Sequence, residues 1–134
     1  MTRAVLCSGK LYYDLVLARE ASGAAHAAVI RLEELYPLHD EEVRAALRPY
    51  RPGVQLVFAQ EEPSNMGAWD YLDRHLAPRL PSPLKLVARP ASASPAAGSA
   101  SRHRLEQEQL VREALGEPVP QKGRSETRAA VQER

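Results

Sequence analysis

The chain reads as an α/β protein, a doubly wound, mostly parallel sheet covered on both faces in three α/β/α layers. Three observations predict it. Four short, unbroken apolar runs alternate with four amphipathic segments, the pattern of strands buried on both faces and joined by crossover helices. Gly and Pro fall between these segments rather than inside them. The 134 residues, 44% hydrophobic, suit one domain with one core.

Ala4-Val5-Leu6-Cys7 is a compact apolar run, and Ser8-Gly9-Lys10 turns it sharply. From Leu11 to about Ala21 the residues favour a helix with Leu11, Leu15 and Ala18 on one face, closed by Gly23. Ala27 to Leu32 forms the second strand. Asp40, Glu41 and Glu42 start the next helix, where the positive end of the dipole favours carboxylates. Val43, Ala46, Leu47 and Tyr50 follow at i, i+3, i+4 and i+7, the spacing of one buried face. Pro49, Pro52 and Gly53 end that segment, and Val54 through Ala59 is the third strand. Asn65 is placed to cap a helix carrying Trp69, Leu72 and Leu76. Pro78, Pro81 and Pro83 stop it. Leu84 to Val87 is a fourth, shorter strand, and a Pro/Ala/Ser/Gly loop runs from Arg89 to Ser99. The last helix covers about Ser101 to Leu115, with Leu105, Val111 and Leu115 apolar. The domain is thus expected over 1–116, with 117–134 a polar tail that lacks periodicity and is expected to be disordered.

Composition narrows the function. Eighteen basic against 17 acidic residues leave a net charge of +1, without the basic excess that nucleic acid requires. No stretch approaches the ~20 apolar residues needed to span a membrane, and the N-terminal apolar run is too short for a signal peptide. Cys7 is the only cysteine, which excludes an intrachain disulfide and a cysteine-rich zinc site. A cytoplasmic location is expected.

In an open parallel sheet, ligands gather at the carboxyl ends of the strands, so four places matter. Ser8-Gly9-Lys10 lacks both glycine-rich phosphate fingerprints and reads as a tight turn. Arg31 ends a strand and must reach water or a partner. Glu33 or Glu34 is the simple partner, and another domain or an acidic ligand the sharper one. Gln60-Glu61-Glu62-Pro63-Ser64-Asn65-Met66-Gly67-Ala68-Trp69 places two adjacent carboxylates at the end of a buried strand. Paired acids can divide general acid and base roles, but no His or nucleophile accompanies them in sequence. Gly67 would allow close backbone approach, and Trp69 has the character of an interface anchor, so packing or interface is favoured over catalysis. Arg89 stands at the base of the fourth loop, where it could hold an anion. His26, His39, His75 and His103 lack metal-ligand spacing, and Ser92, Ser94 and Ser99 lack a nucleophile-elbow context.

Four strings occur in order: LCSGKLYYDL (Leu6–Leu15), AVIRLEELYPL (Ala28–Leu38), QEEPSNMGAWDYL (Gln60–Leu72) and RPASASPAAGS (Arg89–Ser99). Together they resemble the C-terminal domain of the decarboxylating first component of the 2-oxoglutarate dehydrogenase complex, a family that includes the 2-oxoadipate enzymes. The resemblance runs from about Arg3 to Leu115. It implies a transketolase C-terminal-like domain in a homodimeric enzyme dependent on thiamine diphosphate and Mg²⁺. That enzyme decarboxylates 2-oxoglutarate, a tricarboxylic acid cycle step, and passes the succinyl group to a lipoyl arm on the second component. In the family the cofactor is held by two preceding domains, and these 134 residues contain no GDG…N-type thiamine motif. The resemblance therefore implies a non-catalytic domain that binds no cofactor itself and supports dimerisation and the active-site surroundings. Gln60, Glu61, Glu62, Asn65, Gly67, Trp69 and Arg89 are the candidate interface or effector residues, with an exposed apolar patch expected around Trp69 and Leu72. Some bacterial members bind acetyl-CoA through this region. Where they carry two arginines before the Ala/Ser/Pro loop, this sequence has Arg89-Pro90, leaving Arg89 and Gln60 as the effector candidates. The alternative is a free-standing module that binds an acyl-CoA or a nucleotide at the strand ends.

Overall fold

A computed structural model describes residues 1–94 and 98–117. Strand β1 (Arg3–Ser8) leads through helix α1 (Leu11–Ser22) to β2 (Ala27–Leu32). Helix α2 (Asp40–Leu47) leads to β3 (Gln55–Pro63), and α3 (Trp69–His75) with a 3₁₀ turn (Ala77–Arg79) leads to β4 (Leu84–Arg89). Helix α4 (Ala100–Leu115) follows. The strands form one sheet in the order β2-β1-β3-β4, and every pairing is parallel.

This order explains where the helices lie. The chain first steps from β1 to β2, then returns across β1 to β3 and β4. Right-handed crossovers in opposite directions put the connecting helices on opposite faces. Accordingly Val5, Cys7, Val57 and Ala59 pack against α1 and α4. Their sheet neighbours Ala4, Leu6, Leu56 and Phe58 pack against α2 and α3. Both sets are fully buried, which is why the sequence shows continuous apolar runs rather than alternation.

Local differences from the sequence expectation have local causes. Ala46 is exposed and Tyr50 lies beyond α2, because that helix ends at Leu47 and packs only through Val43 and Leu47. Leu105 is exposed, and α4 buries Leu110, Val111, Ala114 and Leu115 instead. The buried apolar side chains of α4 thus fall in its last two turns. Gly23 and Gly116 close α1 and α4 in left-handed conformations. Glu117, expected to open the tail, donates its backbone N–H to the Arg112 carbonyl. The disorder expected beyond it falls on residues 118–134, outside the described residues.

Candidate site at the carboxyl edge of the sheet

In a doubly wound sheet the ligand crevice opens where the strand order reverses, here between the carboxyl ends of β1 and β3. An ion pair crosses it: Lys10 Nζ, just after β1, lies 2.8 Å from Glu61 Oε1, near the end of β3. Glu61 also accepts from Gln107 Nε2 at 3.0 Å, and Gln107 reaches Asp14 on α1 at 3.1 Å. The Glu61 carbonyl accepts from Arg89 Nε at 2.8 Å. Arg89 Nη1 stands 3.4 Å from Glu106, which Arg102 Nε also contacts at 3.0 Å. One network thus joins β1, α1, β3, β4 and α4 across the edge.

The strand β3 is longer than expected, running through Gln60-Glu61-Glu62 to Pro63. Its pairing with β4 jumps from Ala59↔Val87 to Pro63↔Arg89, so residues are extruded as a bulge. A bulge leaves carbonyls without ladder partners, and burying them unsatisfied is costly. Gln60 solves this. Its side chain is buried, and its amide Nε2 is shared among the carbonyls of Pro63 (3.0 Å), Met66 (2.8 Å) and Glu62 (3.3 Å). Its Oε1 accepts from the backbone N–H of Trp69 at 3.2 Å, holding the start of α3.

Gly67 sits inside this corner with φ +74°, and an added Cβ would lie 3.0 Å from Gln60 Oε1 and 3.1 Å from Glu62 Oε2. The close approach the sequence suggested is real, but the approaching groups belong to the chain itself. Asn65 does not cap α3, whose N-cap is Ala68. Its amide instead clasps Ser92, donating to the carbonyl at 2.9 Å and accepting from the N–H at 3.0 Å. The loops after β3 and β4 are joined by this clasp, and by Ser64 N–H to the Arg89 carbonyl. Trp69 is half-buried, its ring 6.4 Å from that of Phe58 with planes 16° apart, and Leu72 is fully buried. The expected apolar patch around Trp69 and Leu72 is therefore absent, because α3 turns that stripe onto Leu6, Leu56 and Phe58. Among the described residues, the large exposed apolar side chains are Tyr13, Leu17, Tyr36 and Leu105, besides Met1.

Arg31 takes the simple partner and an aromatic one. Its Nε is 3.6 Å from Glu33, and Nη1 donates to the Tyr13 hydroxyl at 3.3 Å. The guanidinium lies 5.7 and 5.4 Å from the centroids of Tyr12 and Tyr13.

The chemistry open to this edge is limited. Burial pushes the Cys7 thiol up to about 11, partly offset by Arg31, so at neutral pH it is a thiol and no nucleophile. Glu61 is occupied by Lys10 and Gln107, whereas Glu62 is exposed beside Gly67, so the adjacent carboxylates serve different partners. Glu106 is held below the usual carboxylate range, chiefly by the Arg102 hydrogen bond and then by Arg89, and stays ionised as a bridge. Among the described residues, no three His, Cys, Asp or Glu side chains gather to hold a metal ion. Nor is any helix of the described residues long and apolar enough to cross a membrane. The sequence had not pointed to Asp14, Arg102, Glu106 or Gln107. Only the i,i+4 spacing of Arg102 and Glu106 hinted at a pair.

The fold and its edge define an α/β domain with a parallel, doubly wound sheet whose switch-point crevice is crossed by the chain's own Lys10 and Glu61. The chain matches the family 2-oxoglutarate dehydrogenase C-terminal over residues 1–115, and it belongs to that family. It is 47% identical over 115 residues to the 2-oxoglutarate dehydrogenase E1 component of Haemophilus influenzae, covering 84% of this chain and 12% of that protein. The E1 component of Rickettsia prowazekii is 42% identical over 124 residues, with 89% and 13% covered. That of Azotobacter vinelandii is 44% identical over 119, with 84% and 12% covered. The chain spans about an eighth of the length of these relatives.

Proposed function

We propose that this domain is a non-catalytic, architectural part of a thiamine-diphosphate-dependent, succinyl-transferring 2-oxoglutarate dehydrogenase. Its role is to support dimerisation and the surroundings of an active site built by other domains. The observation that carries this reading is the edge itself: the crevice where such folds bind ligands is crossed by Lys10 and Glu61. No nucleophile paired with a base accompanies it among the described residues. In this reading thiamine diphosphate and Mg²⁺ are held by other domains of that enzyme. The partners are then those domains, a second identical subunit and the lipoyl-bearing second component. The contact surface we assign is the carboxyl edge. The corner 60–69 and Arg89 form its β3/β4 side, and the exposed Tyr13 and Tyr36 belong to the segments beside β2. Tyr, Trp and Arg are the residues that most often anchor interfaces.

The test is size-exclusion chromatography with light scattering of the chain, alone and mixed with the thiamine-binding domains of an E1 component. Co-elution with recovery of 2-oxoglutarate decarboxylation is expected. A monomer that ignores those domains at high micromolar concentration would sink the proposal.

One observation favours a second reading, an acyl-CoA or nucleotide effector. A cavity of about 210 Å³ between the end of β4 and the start of α4 is lined by Arg89, Arg102, Ser92 and Ser94, together with the Glu106 carboxylate that pairs with both arginines. It is smaller than sites that enclose whole ligands of that size, roughly 300–1,000 Å³, and suits only a phosphate or a headgroup. Calorimetric binding of acetyl-CoA that disappears in Arg89→Ala would establish this reading, and absence of heat at millimolar ligand would remove it.

A further inference from the structure

On the face opposite α2 and α3, helices α1 and α4 run side by side from the carboxyl edge toward the amino edge, and an open groove of about 990 Å³ lies between them. Leu17, Ala18, Ala21 and Val111 form its apolar walls, and Leu17 is 65% exposed. Asp14, Glu108 and Glu117 line it beside Arg104 and Arg112, leaving one more acidic than basic side chain with His103 neutral. Gln107 bridges to Asp14 across it. The amino end is different, since Gly116 turns the chain back in a left-handed cap and Glu117 itself becomes a wall of the groove. The described residues thus end at Glu117, in the wall of this groove.

We propose that residues 118–134 of this chain fill that groove, running back along α4 from Glu117. Length permits it: the groove from Arg112 to Ser99 is about 20 Å at 1.5 Å per helical residue. Seventeen residues reach up to about 60 Å when extended. Composition fits as well. Pro118 and Pro120 cannot continue α4, and Val119 follows Glu117 by two positions in the sequence. Ala129-Ala130-Val131 supplies an apolar triplet between Arg128 and Gln132. The segment holds two more basic than acidic side chains, opposite in sign to the groove. The family match ends at residue 115, before this segment begins.

Hydrogen exchange on the full chain and on a chain cut after Glu117 tests this, because the cut leaves every packed residue of the domain in place. Amides of α1 and α4 that line the groove should exchange at least about tenfold faster in the cut chain, with the sheet unchanged. Adding a synthetic 118–134 peptide to the cut chain should restore protection. In the full chain, Leu17→Asp should reproduce the loss, and its exposure means the fold tolerates it. Equal exchange in the full and cut chains would overturn the proposal. So would groove protection that rises with protein concentration in both, which would assign the groove to a second copy.

Discussion

The crevice between β1 and β3 and the groove between α1 and α4 are two concave surfaces treated in opposite ways. The first is crossed by Lys10 and Glu61 and backed by Gln107, Arg89 and the Gln60 amide. The second keeps apolar walls and leaves Leu17 open to solvent. The position that the fold class marks for a ligand is thus filled by the chain's own side chains, and the unsatisfied surface lies one layer away. A shared topology places the crevice but does not decide whether it is used.

Substitutions can break this contrast, and the largest effect is expected at the corner after β3. Gln60→Leu keeps the volume but leaves several buried carbonyls and the Trp69 N–H unsatisfied. A loss of about 3 kcal/mol is expected in urea unfolding. Leu17→Asp in the groove, made in the chain cut after Glu117, should change stability by less than about 0.5 kcal/mol. Equal losses would abolish the distinction between a stitched and an open region.

Gly67→Ala comes next, at about 2 kcal/mol, since backbone strain at φ +74° adds to the contacts with Gln60 and Glu62. Gly9→Ala has similar strain at φ +66° but nothing near its Cβ, and should cost about 1 kcal/mol. If Gly9→Ala proved the costlier, the crowding at the corner would carry no weight. Glu61→Gln should cost less than about 1 kcal/mol, because Lys10 is mostly exposed and solvent screens the pair.

The smallest effect is in pH. The Glu106 carboxyl titrates below its unfolded value because of Arg102 and Arg89. Its contribution is present above the unfolded carboxylate range and is lost as pH falls through the lower folded value. Glu106→Gln should therefore flatten the acid side of a stability-against-pH curve and leave its neutral-to-basic side unchanged in shape. An unaltered acid limb would show that the α4 bridge contributes nothing.

Much of this was legible in the sequence. The parallel doubly wound sheet, the bounds of β2 and the glycine stop of α1 all rest on local signals: apolar runs, turn residues and caps. What the sequence misjudged were the quantities that depend on distant neighbours. Asn65 sits where an N-cap belongs, yet its amide pairs with Ser92, a residue 27 positions away. Trp69 and Leu72 have the spacing of a stripe, but nothing local says whether the stripe meets Phe58 or a partner. Glu61 and Glu62 look equivalent in sequence and differ because a bulge in β3 sends one toward Lys10 and the other toward Gly67.

The sequence by itself therefore determined the elements, their alternation, the two-sided burial of the strands and the family to which the motifs point. Each of these is set by periodicity, backbone preference or an ordered string of residues. Only the tertiary structure decided that the switch-point crevice is bridged, that Gln60 repairs a bulge, and that the open apolar surface lies between α1 and α4. Those outcomes depend on which long-range partner reaches a polar group first, and burial makes every unpaired group costly enough to fix the choice.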